Sequence, residues 1–232
     1  MSGTADRQAF SSFQAEYPPV FEARFSAGRG LRLIREDGAE FLDGVSGTFS
    51  VPLGYDHPKV VEAVIEQLRK CAHMSSSYSA PYARSVLVKL LSVAPPNIGA
   101  GWMRDLNGST ANECAIKIAQ KSTGKRDVLS LHQSHHGQTV FTTSISGEAF
   151  RRAAFPIIPN ASSIKVPPPY CYRCPYDSVY PGCGLLCAER IYDAIEYGSS
   201  GSVACMIVEP VLGNGGNIVP PSQLLLCRSA NR

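Results

Sequence analysis

Apolar residues along the chain follow two periods, and the switch between them marks out the elements. Val60, Val61, Val64, Ile65 and Leu68 recur at helical spacing behind Pro58, which predicts a helix over residues 58–71 with one apolar face. A second helix is predicted over residues 83–93, stopped by Pro95-Pro96. Leu33-Ile34 and Phe41-Leu42 flank Asp37-Gly38, a tight-turn pair, so residues 32–43 read as a hairpin. Residues 1–30 read as a polar lead-in, and residues 44–55 as a Gly/Ser-rich loop. The clearest run is an apolar strand at 102–106, a turn at 107–110 and a helix at 111–122. That helix has Ala115, Ile116 and Ala119 on one face and Gly124 at its end, and a strand follows at 127–131. This is a βαβ unit, which requires a parallel sheet and a right-handed crossover. Residues 155–184 read as a long loop, 185–197 as a helix and 203–208 as a buried strand ending at Glu209-Pro210.

Composition narrows the class. The chain has 232 residues, with 44% apolar and 18% charged residues, the balance of a globular protein. Net charge is 22 − 19 = +3, too mild to point to nucleic acid or an anionic membrane. No run approaches the ~20 apolar residues that span a bilayer. The first ten residues carry no basic segment ahead of an apolar core, so no secretory signal is expected. Two distributions are uneven. All seven lysines lie at or before Lys165, and six of the eight cysteines lie at or after Cys171.

Four groups of residues carry candidate chemistry. Gly108-Ser109-Thr110 leads from a strand into a helix N-terminus, whose first amides have no intrahelical acceptor and face outward with the positive end of the helix dipole behind them. This is a cradle for a phosphate, although the same residues also serve as an ordinary helix cap. Ser134-His135-His136-Gly137 follows the next strand, at the strand end where open α/β sheets bind ligands. Glu209 closes the apolar strand, and Pro210 bars a helical continuation there. Cys171-X2-Cys174 and Cys183-X3-Cys187 are spaced like a zinc site, with a gap shorter than the usual fingers; the alternative is four reduced thiols.

Taken in order, these segments resemble the class III, pyridoxal-phosphate-dependent aminotransferases, the acetylornithine, ornithine and 4-aminobutyrate aminotransferase family, from about Gly30 to Pro221. DGAEFLDGVSG is similar to the family's N-terminal hairpin, and LGYDHPKVVEAVIEQL to its LGH-x-HP segment and first helix. NGSTANECAIKIAQKSTGK is similar to the SGTEANE-type phosphate turn, SHHGQT to the aromatic-HG-x-T loop, and CMIVEPVLGNGG to the strand that ends in Glu-Pro. CYRCPYDSVYPGC is similar to a loop of some members, which favours reduced thiols and no metal.

The resemblance implies a fold type I transferase of α/β class. Its sheet would be incomplete and mostly parallel, with flanking helices and an N-terminal small-domain segment. The expected division is an N-terminal segment over 1–75, part of the large cofactor domain over 76–221, and an atypical tail over 222–232. It implies pyridoxal 5'-phosphate as cofactor and, as substrates, a small amino donor and a 2-oxo acid. It also implies a cytoplasmic homodimer, or pairing with a full-length homologue, without nucleic acid or membrane. By motif, Gly108 and Ser109 match the phosphate turn and Asn112 and Glu113 its NE pair. His135 matches the ring-stacking position, where the family has Tyr, Phe or Trp; His136 and Gly137 match the HG pair, and Glu209 a glutamate near cofactor and substrate. Asn107, Thr110 and Tyr55 depart from the family's Ser, Glu and His.

The family's Schiff-base lysine and its pyridine-nitrogen aspartate both lie beyond the Glu-Pro strand. Here the last lysine is Lys165 and the last aspartate is Asp193, so neither role is assigned. The expectation is a chain cut after the Glu-Pro strand and inactive alone, or the non-catalytic half of a split enzyme. A metal module built on the cysteines ranks behind both.

Overall fold

The computed structural model describes residues 24–75, 77, 78, 80–103, 107–149, 153 and 162–225. The chain divides into two units between Trp102 and Met103.

The first unit opens on a three-stranded antiparallel sheet, β1 (Phe25–Arg29), β2 (Arg32–Arg35) and β3 (Glu40–Leu42), in the order β1-β2-β3. The hairpin expected around Asp37-Gly38 is β2–β3, with Leu33 opposite Phe41. Asp37 closes its turn by accepting from the Ala39 amide at 3.1 Å and the Arg35 Nε at 2.8 Å. The lead-in reading is corrected for residues 25–29. FSAGR is too small and polar to read as a strand, but it pairs with β2 and sets Phe25 edge-on to Phe41 at 5.7 Å. Helix α1 (Pro58–Lys70) ends where its periodicity does. Helix α2 (Pro81–Val93) begins two residues earlier than expected, because a proline in the first turn has no amide to lose. Neither helix contains a buried residue.

The second unit holds a parallel sheet in the order β5-β4-β6, with helices between the strands. Its elements are α3 (Gly108–Thr123), β4 (Asp127–Leu131), α4 (Val140–Ile145), β5 (Ser163–Val166), α5 (Leu186–Gly198), β6 (Val203–Met206) and α6 (Ser222–Leu225). The strand expected at 102–106 falls largely outside the described residues, as do residues 226–232 of the tail. Two expectations are corrected. Helix α3 takes in the turn at 108–110, because Asn107 already caps it: its side chain accepts from the Thr110 amide at 3.1 Å and Thr110 returns the bond as a capping box. The long loop contains β5, a four-residue strand hidden by the prolines that follow it.

Central strand β4 is buried along its whole length, and the core gathers on it. Val128, Ile116 and Ile145 pack on one side, and Leu131, Val166, Leu212 and Ile218 form a second cluster. Two polar groups on β4 have partners inside. Asp127 Oδ2 accepts from the Ser200 amide at 2.8 Å and hydroxyl at 2.6 Å, which lowers its carboxyl pKa, and Ser130 Oγ donates to the Ile145 carbonyl at 2.6 Å. No helix among the described residues is long and apolar enough to cross a membrane.

Candidate functional site

The site gathers at the carboxyl end of β4, where three segments far apart in sequence meet. The first is the start of α3. Asn107 and Thr110 use each other's amides, and the Ala111 amide donates to the Asn107 carbonyl. The Gly108 and Ser109 amides belong to the first turn, which has no intrahelical acceptor for them. A Cβ placed on Gly108 would meet nothing within 4 Å, so the space at that position is open.

The second segment is the loop after β4, and α3 holds it directly. Ser109 Oγ accepts from the Gln138 amide at 3.0 Å, and Asn112 Nδ2 donates to the His136 carbonyl at 2.8 Å. Thr139 caps α4, shares a hydroxyl contact with Thr142 at 2.7 Å and donates to Glu113. Gly137 (φ +141°) is required at the crossing: a Cβ there would stand 2.5 Å from both Ser109 Oγ and Thr142 Oγ1. His136 is 4% exposed and its Nε2 has no hydrogen-bond partner. Burial, with the nearby charges of His135 and Lys165, pushes its pKa down to about 4, so the ring is neutral at physiological pH.

The third segment follows β6. One oxygen of Glu209 accepts from the His135 amide at 2.6 Å and the other from the Gly213 amide at 3.2 Å. Its carboxylate thus ties the loop after β4 to the loop after β6. All five residues expected at the site, Gly108, Ser109, His135, His136 and Glu209, fall on these three segments.

Sequence reasoning missed a sixth residue. Glu148 is buried, and its Oε2 lies 3.2 Å from His135 Nδ1. The available signal was isolation: Glu148 is the sole Asp, Glu, Lys or Arg between Asp127 and Arg151. Cys171, Cys174, Cys183 and Cys187 line a cavity of about 20 Å³ elsewhere in this unit. All seven described cysteines are free thiols, and no three His, Cys, Asp or Glu side chains among the described residues come together to hold a metal ion.

A helix N-terminus and a histidine loop that meet at the carboxyl end of a parallel sheet define an α/β protein whose candidate site lies at the strand ends. The chain belongs to the class-III aminotransferase family, whose pattern it matches over residues 13–228. It is 33% identical over 190 residues to a leucine/methionine racemase of Thermococcus litoralis, covering 78% of this chain and 41% of that protein. It is 31% identical to an acetylornithine aminotransferase of Methanopyrus kandleri, covering 88% and 47%. An amine transaminase from an uncultivated Pseudomonas species, solved in a PLP-bound form, superposes with a TM-score of 0.81 at 25% identity, over 90% of this chain and 51% of that one. These neighbours share the fold type I architecture. The chain spans less than half the length of these two curated relatives and about half that of the solved structure.

Proposed function

We propose that this chain forms the phosphate and ring-binding side of a pyridoxal-phosphate-dependent aminotransferase, which passes an amino group from an amino acid or amine to a 2-oxo acid. The observation that carries it is the meeting of the open α3 N-terminus with the His135–Gly137 loop. The residues fit the group. The Gly108 and Ser109 amides lie in the first turn with the helix dipole behind them, a Cβ on Gly108 would meet nothing within 4 Å, and the Ser109 hydroxyl, which accepts from Gln138, keeps its own proton to donate to a phosphate oxygen. His135 would lie against the pyridine ring, with its backbone pinned by Glu209. His136 supports this loop from within as a neutral, buried ring. When bound, the cofactor supplies an electron sink for the carbon bearing the amino group.

No lysine of this chain takes the covalent role in this reading. Lys117, Lys121 and Lys125 are exposed on or just after α3, and Lys165 of β5 donates to the Ser144 carbonyl of α4 and to Ser163 Oγ of its own strand, each at 2.9 Å. That favours a second reading beside the first, in which the chain pairs with a lysine-bearing homologue and is silent alone. Free thiols at the seven described cysteines support a cytoplasmic location.

Titration of the 232-residue chain with pyridoxal phosphate and with pyridoxal tests the proposal. The phosphate form should bind reversibly and at least about tenfold more tightly, and Ser109→Ala should remove about a tenfold share of that preference. Borohydride should leave no stoichiometric adduct on one lysine. Equal binding of the two compounds, or a single fixed lysine, overturns it.

A further inference from the structure

Glu148 owes its place to a glycine. A Cβ on Gly147 would stand 2.1 Å from the Leu131 carbonyl oxygen and 2.6 Å from the Gln133 nitrogen, and the Gly147 amide donates to the Ser134 carbonyl at 2.9 Å. The chain after α4 therefore lies directly against the backbone that leaves β4. This close approach sets the Glu148 carboxylate, with a side chain 2% exposed, beside the His135 ring, 23% exposed, at 3.2 Å. A carboxylate so deeply buried is costly unless a polar or positive group faces it, and His135 Nδ1 stands within ion-pair distance of it, although the pair lies outside hydrogen-bond geometry. The same histidine has its amide held by Glu209 at 2.6 Å. Two acids, one on the backbone and one on the ring, thus fix a residue whose imidazole replaces the larger aromatic ring expected at this position.

We propose that Glu148 is a positioning residue: its carboxylate keeps the His135 proton on Nδ1 and fixes the plane of the imidazole against which the cofactor ring rests. A phenyl or indole group holds its place by packing alone. An imidazole is smaller and has two tautomers, so it needs a partner to select one. The ring-side role rests on the function proposed above; the proton position does not.

Two measurements on the full 232-residue chain separate these. The first is the long-range proton–nitrogen spectrum of the histidine rings without cofactor, with His135 assigned from the His135→Phe variant. It should show His135 protonated at Nδ1, and Glu148→Gln should shift the proton toward Nε2. The second is pyridoxal phosphate affinity in a double-mutant cycle. Glu148→Gln should weaken binding about tenfold when His135 is present and change it by less than about twofold in the His135→Phe background. A wild-type ring protonated on Nε2 alone overturns the proposal even if Glu148→Gln does not fold. Equal weakening in both backgrounds overturns it as well. Wild-type protein that shows the Nδ1 proton but binds no pyridoxal phosphate refutes the cofactor reading and leaves the assignment of Glu148 to His135 standing.

Discussion

The two units of the chain differ in what holds them together. In the first, none of the described residues is buried: Val60, Val64, Ile65 and Leu68 of α1 and Val86, Val88, Leu90 and Val93 of α2 are all exposed. Its order comes from the β1-β2-β3 ladder, from turns and from side chain-to-backbone bonds. Asp43 accepts from the Val45 and Gly47 amides, each at 2.7 Å, and Asp56 accepts from the Gly30 amide at 2.7 Å. In the second, β4 is sealed and every candidate site residue hangs from it or from elements packed on it. An amphipathic pattern predicts that a helix forms; it does not predict that anything covers its apolar face. The candidate site lies in the unit that closes its own core, as expected for side chains that must be held within fractions of an ångström.

Glycine substitution should break this contrast most sharply. Gly147→Ala would drive a methyl into backbone atoms at 2.1–2.7 Å, which no side-chain rotation relieves. We expect a loss of about 3 kcal/mol or more in the second unit, read by denaturant unfolding, with release of Glu148 from His135. In the first unit Gly44 has nothing within 4 Å of an added Cβ, and Gly44→Ala should change stability by no more than ~0.5 kcal/mol. Comparable losses at the two sites would erase the distinction between a sealed unit and an open one.

That experiment also shows where sequence reading stops. Helices α1, α2 and α5 and strand β4 were legible because each is specified by its own period and its own stop signals. Helix α4 was not. VFTTSI is rich in β-branched residues and reads locally as strand, and what makes it a helix is the Thr139–Thr142 capping box and burial against β4. The short strands β1 and β5 needed a partner to exist at all. At the candidate site, Gly108, Ser109, His135, His136 and Glu209 stood out by motif. Glu148 belongs to no motif and stands out only by its isolation among uncharged residues, because a close backbone approach at Gly147 is what brings it there. Glu209 was expected beside the ligand, but the geometry adds a separate task, bridging two loops through their amides.

Acid should sharpen the contrast next, through His136. Its folded-state pKa is about 4 against an ordinary 6.5. At pH 6.5 and above the folded ring is neutral and the stability it permits is fully present. As pH falls from 6.5 toward 4, the unfolded chain takes up a proton that the folded chain refuses, so stability falls, by ~3 kcal/mol across the window. Denaturant unfolding of the second unit at the two ends of that range should show the loss, and His136→Asn should flatten it. A profile that stays steep in the variant would place the acid sensitivity elsewhere.

The smallest effect belongs to Tyr55 in the first unit. Its hydroxyl donates to Asp43 Oδ2, and its ring fills the space beside Gly28, where a Cβ would stand 2.5 Å from Tyr55 Cγ. That hydroxyl, ahead of the Val45 and Gly47 amides, lowers the Asp43 pKa, while Asp43 raises the tyrosine's. Because the folded carboxyl is depressed, its contribution is present above the usual carboxylate range and fades as pH falls through the folded value. Tyr55→Phe keeps the ring and removes the donor. The Asp43 pKa should rise toward its ordinary value, and hydrogen exchange should quicken at the Val45, Gly47 and Tyr55 amides while β4 amides keep their protection. A loop with no buried side chain has only such bonds to hold it, so a response confined to these amides would show the first unit's order to be local. Simultaneous loss of protection along β4 would instead show that the two units unfold as one.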